Sequence, residues 1–313
     1  MTRWLVPLAV AAAAATAGTV APLASLLLVC LLLGAVVANA PLRGRSGFPD
    51  IEAAAKVLLR WGIVLLGLRL SVGDVAAVGW TGIAMVLVTV IVTFRLTQVV
   101  GRRMGLDTDL VDLVAAGFSI CGAAAIAAVQ DSLGARRSNA ALGVALVTIA
   151  GTTMMFAIPV LATVLGLDPR ETSLWMGASI HEVAQVVAGT ALVGGGSIAV
   201  AMSVKLGRVM MLVPVHHAVI RSNRTPDCPR ATVPWFLWGF VAAIAVRSAQ
   251  VLPDAVLDVG SWTANVLLGA GMFGLGLGLA VRDLWPVPPR ALLLAAFATA
   301  VATGVPLAIL AVA

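Results

Sequence analysis

Long apolar runs separated by short polar stretches fill the chain from one end to the other. The apolar positions do not alternate at a period of two, as the strands of a membrane barrel require. Nor are they confined to one stripe of a surface helix. They occupy whole stretches near the ~20 residues an α-helix needs to cross the hydrocarbon core. Eleven spans are predicted, over 4–18, 20–40, 53–70, 77–98, 109–131, 138–165, 172–194, 197–219, 232–250, 256–281 and 288–311. Lipid offers no hydrogen bonds, so each span is expected to be helical. The predicted fold class is all-α integral membrane, with about 11 transmembrane helices.

Composition supports this. The chain is 61% hydrophobic and 11% charged, against ~25% charged in soluble domains. The net charge of +6 would suggest nucleic acid in a soluble protein. Here the basic residues lie between apolar runs, which fits the positive-inside rule and a bilayer partner rather than nucleic acid. Cys30, Cys121 and Cys228 are far apart, and no pair has disulfide or metal spacing. Met1-Thr2-Arg3 followed by an apolar run imitates a signal peptide. The many spans that follow favour a retained first helix.

The basic residues also predict orientation. With a cytoplasmic N-terminus at a bacterial inner (plasma) membrane, the inner side receives Arg43, Arg45, Lys56, Arg60, Arg102, Arg103, Arg170, Arg221, Arg224, Arg230, Arg282 and Arg290. The other side holds Arg69, Arg136, Arg137 and Arg247. Arg136-Arg137 is the exception, and it opens the alternative that 109–131 does not cross simply. Seven tryptophans, including Trp61, Trp235 and Trp285, lie near span ends, as interfacial belts require.

Setting residues 1–19 aside as an extra N-terminal helix leaves ten spans, divided at Asp168 into 20–167 and 168–313. Five is odd, so the second five start on the opposite side, as in the inverted repeats of secondary transporters. Gly117-Phe118-Ser119-Ile120-Cys121 resembles Gly177-Ala178-Ser179-Ile180-His181, although not in a five-plus-five register.

Three stretches could carry chemistry. Ser119 to Ala125, with Cys121, Gly122 and Ala123, is a small-residue segment in mid-span. It could be a broken helix with free N–H groups for an anion, or simply a close packing surface. Its five-plus-five counterpart is Ser261 to Gly271, which favours the broken helix. His181, Glu182 and Gln185 place ionisable and amide groups at the centre of a span, where charge is costly. They could hold or gate a coupling proton, or form a self-satisfied polar knot. Lys205 and Arg208 lie within the eighth span, and a buried cation needs an anion. Asp109 and Asp112 could cap a helix start, Arg69 could snorkel, and His216-His217 reads as a surface pair.

There is no phosphate-binding G-x-x-x-x-G-K-[ST], no H-E-x-x-H and no G-x-S-x-G. No enzyme activity, catalytic residue, metal or cofactor is expected, beyond H⁺ or Na⁺ as coupling ion.

Three segments, Ser119 to Ala128, Gly177 to Val187 and Lys205 to Pro214, resemble in order and setting the YeiH-type sulfate exporter family. That family is similar to the sodium/proton antiporter and bile-acid-transporter fold group. The resemblance implies inverted five-helix repeats with crossing broken helices, and a small anion such as sulfate or a sulfonate as substrate. On this reading Ser119, Cys121, Gly122, Ala123 and Lys205 bind the anion, while His181, Glu182, Gln185 and Arg208 couple or gate. A homodimer is compatible with it. The alternatives are a cation/proton antiporter using Glu182, and a membrane enzyme or assembly partner that transports nothing.

Overall fold

The computed structural model describes residues 5–12, 26–39, 48–69, 71–73, 78–193, 198–222, 235–277 and 287–312. No strand occurs among these residues. Arg43, Arg45, Arg224, Arg230, Arg282, Cys228, Trp285 and, of the first predicted span, residues 4 and 13–18 lie outside the described residues.

The helices are α1 (5–12), α2 (Leu26–Asn39), α3 (Phe48–Leu66), α4 (Gly79–Arg103), α5 (Thr108–Ser119), α6 (Ala123–Leu133) and α7 (Arg137–Leu165). They continue with α8 (Pro169–Ser179), α9 (Val183–Leu192), α10 (Ile198–Met210), α11 (Leu212–Ser222), α12 (Trp235–Ser248), α13 (Asp254–Leu277) and α14 (Pro289–Leu310). Among the described residues, α4, α7, the joined α10–α11, α13 and α14 are long and apolar enough to cross a membrane. The chain divides into two compact units, Met1–Ser71 with Thr232–Pro286, and Val72–Ala231 with Val287–Ala313.

In the first unit α2 and α3 pack against α13 through glycines, as close helix contacts in lipid require. A methyl added at Gly62 would sit 2.9 Å from the Leu268 nitrogen, and one at Gly271 would sit 2.5 Å from the Leu59 Cβ. Arg69 does not snorkel. It donates from Nη2 to the Ser261 carbonyl at 2.6 Å and from Nε to the Ser261 hydroxyl at 3.0 Å. The expected interruption over Ser261 to Gly271 is therefore corrected: α13 runs unbroken through it, and its small and polar letters serve packing and the Arg69 anchor.

The second unit differs from eleven simple crossings. α5 has 12 residues and α6 has 11, so each is about 17 Å long, roughly half the ~30 Å hydrocarbon thickness. Asp107 precedes α5 and Arg136 follows α6, yet the two form an ion pair. Were the segment a single crossing, they would stand about 40 Å apart. A methyl on Gly117 would meet Ile126 at 2.7 Å, which also requires the legs to lie side by side. The 109–131 segment is a re-entrant helical hairpin.

The 172–194 segment is a second one. A methyl on Gly189 of α9 would meet Met176 of α8 at 2.6 Å, although about 20 Å would separate these levels in one straight helix. Leu167 and Val193, at the two ends of the segment, pack against the same apolar cluster. The 29 residues of α7 join the hairpins, the first at its N-terminal end and the second at its C-terminal end. The hairpins therefore enter from opposite ends of α7.

This corrects the side assignment of the arginines. Arg136 and Arg137 return to the end that carries Arg102 and Arg103, and Arg170 moves to the other. The exception in the charge pattern disappears. The expected result is that T108C and S138C react with an impermeant thiol reagent from one side of the membrane, and R170C from the other. Labelling of T108C and S138C from opposite sides would restore the single crossing.

Candidate functional site

The two hairpin tips meet. The first tip turns at Gly122, whose φ of 72° and ψ of −128° are strained for a residue with a side chain. A methyl there would also lie 3.0 Å from Glu182 Cγ and 3.4 Å from the His181 carbonyl of the other tip. Gly122→Ala is expected to destabilise the protein by about 1–3 kcal/mol, read as a lowered unfolding temperature in detergent. An unchanged temperature would show that the tips have slack.

Breaking a helix orphans carbonyls at the end of its first leg and N–H groups at the start of its second. One turn of α10 satisfies the carbonyls of both hairpins. Lys205 Nζ donates to the carbonyls of Ile120 (2.9 Å), Ile180 (2.8 Å) and His181 (2.5 Å). Arg208 donates from Nε to Ser119 (3.1 Å), from Nη1 to Ala178 (2.5 Å) and from Nη2 to Phe118 (2.8 Å). Both side chains are wholly buried. The cations sit on the negative ends of α5 and α8, where positive charge is favoured. All three protons of the Lys205 ammonium are used by the main chain. Among the described residues, no carboxylate forms an ion pair with either cation.

Glu182 lies at the start of α9 and is buried. The Thr148 hydroxyl donates to its Oε1 at 3.1 Å. The Glu182 amide donates to Gln185 Oε1 at 3.3 Å, and Gln185 Nε2 donates to the Thr148 carbonyl at 3.2 Å and the Thr152 hydroxyl at 3.1 Å. A methyl on Gly151 would collide with Gln185, so the glycine lets the amide approach α7. The His181 ring packs on Phe118 at 4.7 Å between centroids, and neither ring nitrogen has a partner at hydrogen-bonding geometry. The Ser119 hydroxyl donates into its own helix, to the Ala116 carbonyl at 3.3 Å. Cys121 and Ala123 are buried at the first tip. The nine residues expected to bind the anion or to couple and gate thus gather within the two tips and the turn of α10 that ties them.

With Lys205, Arg208 and Glu182 ionised, the junction carries a net +1. Its helix ends, two of about −0.5 and two of about +0.5, cancel. Such a centre attracts an anion.

Residues 4–295 match the family described as Conserved hypothetical protein 698. The chain is 40% identical over 290 residues to a UPF0324 membrane protein of Corynebacterium glutamicum, covering 90% of this chain and 84% of that one. It is 34% identical over 289 residues to one of Pseudomonas aeruginosa, covering 87% and 81%. The chain belongs to the UPF0324 membrane protein family. No solved structure matches it.

In this UPF0324 protein some site groups escape the sequence. Thr148 and Thr152, four apart on α7 with Gly151 between them, were detectable as a polar pair within an apolar span. The six carbonyls under Lys205 and Arg208 have no letter at all. Other expectations change. The cap of α5 is Asp107, which accepts from the Asp109 amide at 3.0 Å, not Asp109 or Asp112. Asp112 is buried and accepts from Gln98 at 2.7 Å and Arg102 at 3.3 Å. His216 is not on the surface: it is fully buried, 2.6 Å from the Ser132 hydroxyl. Among the described residues no cluster could hold a metal ion.

Proposed function

We propose that the chain is a secondary active transporter that exports a small anion, sulfate or a related oxyanion or sulfonate. The observation that carries this reading is the charge balance, two buried cations against one buried carboxylate where two re-entrant hairpins meet. Ionisable groups at membrane depth mark transport sites, and paired half-helices entering from opposite sides are a transporter's architecture. The resemblance to YeiH-type sulfate exporters supplies the oxyanion.

In this mechanism the starts of α6 and α9 bind the anion through main-chain N–H groups at Ala123, just past the Gly122 turn, and at Val183, just past Glu182, because the Gly122 and Glu182 amides already donate to Gly117 and Gln185. Lys205 and Arg208 contribute their field while holding the tips rather than touching the substrate. The Glu182 carboxylate competes with the anion for the same positive helix ends. A proton on Glu182 removes that competition and raises the net charge, which couples H⁺ to the anion. His181 and Gln185, on either side of Glu182, gate the exchange. The end bearing Arg102, Arg103, Arg136, Arg137, Arg221 and Arg290 faces the cytoplasm by the positive-inside rule.

Purified protein in liposomes is expected to move labelled sulfate down an imposed gradient. Na⁺/H⁺ exchange without sulfate flux would transfer the site to a cation/proton antiporter, with Glu182 as the ion-binding carboxylate.

A further inference from the structure

One face of α4 carries a row of buried hydroxyls that do nothing within the fold. Thr89, Thr93 and Thr97 stand four residues apart and are fully buried. None of their hydroxyls has a hydrogen-bond partner. A threonine in a helix ordinarily donates to the carbonyl four residues back, and eight others here do so, Thr190 and Thr299 among them. The three on α4 are turned away from their own backbone into the protein interior. Unmade hydrogen bonds are costly, most of all at membrane depth.

The row has definite ends. One turn beyond Thr89 is Met85, which packs in a cluster with Ala178 of the second tip and Val204. Ala178 gives its carbonyl to Arg208, and its neighbour Ser179 has another buried, unpartnered hydroxyl. One turn beyond Thr97 is Gly101, where an added methyl would meet Val111 of α5 at 2.7 Å. Beside it Gln98 and Arg102 hold Asp112. The hydroxyls therefore run from the arginine-bearing end of α4 to the hairpin tips. From Thr89 to Thr97 the row covers about 12 Å, longer than one small oxyanion.

We infer that Thr89, Thr93 and Thr97 form the path by which the transported anion passes between the arginine-bearing end and the hairpin tips, each hydroxyl donating to it in turn. This rests on the anion-transport reading and names its route. Neutral donors suit a route better than cations, because they replace water around the anion without trapping it. The hydroxyls are enclosed here, so the path is shut in this conformation.

Two measurements test the path. T89V, T93V and T97V keep the shape of the side chain and remove the donor. Each is expected to slow sulfate efflux from liposomes about tenfold without lowering the unfolding temperature. T89C, T93C and T97C are expected to react with a small anionic methanethiosulfonate at least about tenfold faster than I158C, which is equally buried on α7 in the apolar cluster around Trp175. Peptide mass spectrometry assigns the modified site apart from the native cysteines. Full efflux in the valine variants, or no reaction at the three positions in a protein that transports sulfate, overturns the path. Reaction at the three positions in a protein that moves no sulfate keeps the path and removes sulfate as its cargo.

Discussion

Arg208→Met is expected to prevent the protein from accumulating in a folded form. Its guanidinium donates to three carbonyls that belong to two different hairpins, Phe118 and Ser119 on one and Ala178 on the other. Methionine fills similar volume and donates nothing. The carbonyls at the ends of α5 and α8 would then face the hydrocarbon-like interior without partners. Removing one side of a buried charged network costs about 3–5 kcal/mol, a large share of the ~5–15 kcal/mol that holds a domain together. Arg208→Lys is expected to rescue poorly, because one ammonium cannot reach three acceptors that the planar fork spans. The measurement is the yield of monodisperse protein in detergent and its unfolding temperature. A methionine variant as stable as the parent would mean that the tips hold together by packing alone.

The sequence makes the membrane spans legible because a run of apolar residues has one physical use at that length. It cannot tell a crossing from a hairpin, because the 23 residues from Asp109 to Asp131 are equally apolar in either arrangement. The information lay at the edges. Arg136-Arg137 violated the charge pattern, and Gly117 to Cys121 resembled Gly177 to His181, which are the two tips themselves. The expected counterpart in α13 misled because Ser261 and Gly271 are also the letters of close helix packing, and there they meet Arg69 and Leu59. Lys205 and Arg208 stood out as buried cations, but their partners are backbone atoms that every residue possesses. Thr148 is visible as half of a polar pair with Thr152, but its contact with Glu182 is hidden for a related reason. Most threonines in these helices bond to their own backbone, so the one that also reaches Glu182 looks like the rest.

Glu182→Gln is expected to leave the fold intact and uncouple transport. The amide is nearly isosteric with the acid, and its oxygen can still accept from the Thr148 hydroxyl, which now reaches Oε1 at 3.1 Å. The capping of α9 by Gln185 uses the main-chain N–H of residue 182 and survives the change. What alters is charge: the variant's junction stays at +2 whatever the pH, whereas the parent's is +1 when Glu182 is ionised. At ~8 Å and an effective dielectric near 20, one added positive charge favours a monovalent anion by roughly 2 kcal/mol, or about thirtyfold in affinity. The variant should therefore bind sulfate more tightly than the parent by at least that factor. It should exchange sulfate for sulfate across the membrane, yet no longer respond to an imposed proton gradient. Calorimetry on purified protein and counterflow in liposomes read the two effects separately. Proton-driven efflux at the parent rate would exclude Glu182 as the proton carrier and leave His181, whose ring nitrogens have no hydrogen-bond partner among the described residues, to be tested in its place. Weaker sulfate binding would instead mean that the carboxylate coordinates a cation at the junction, as a cation/proton antiporter requires.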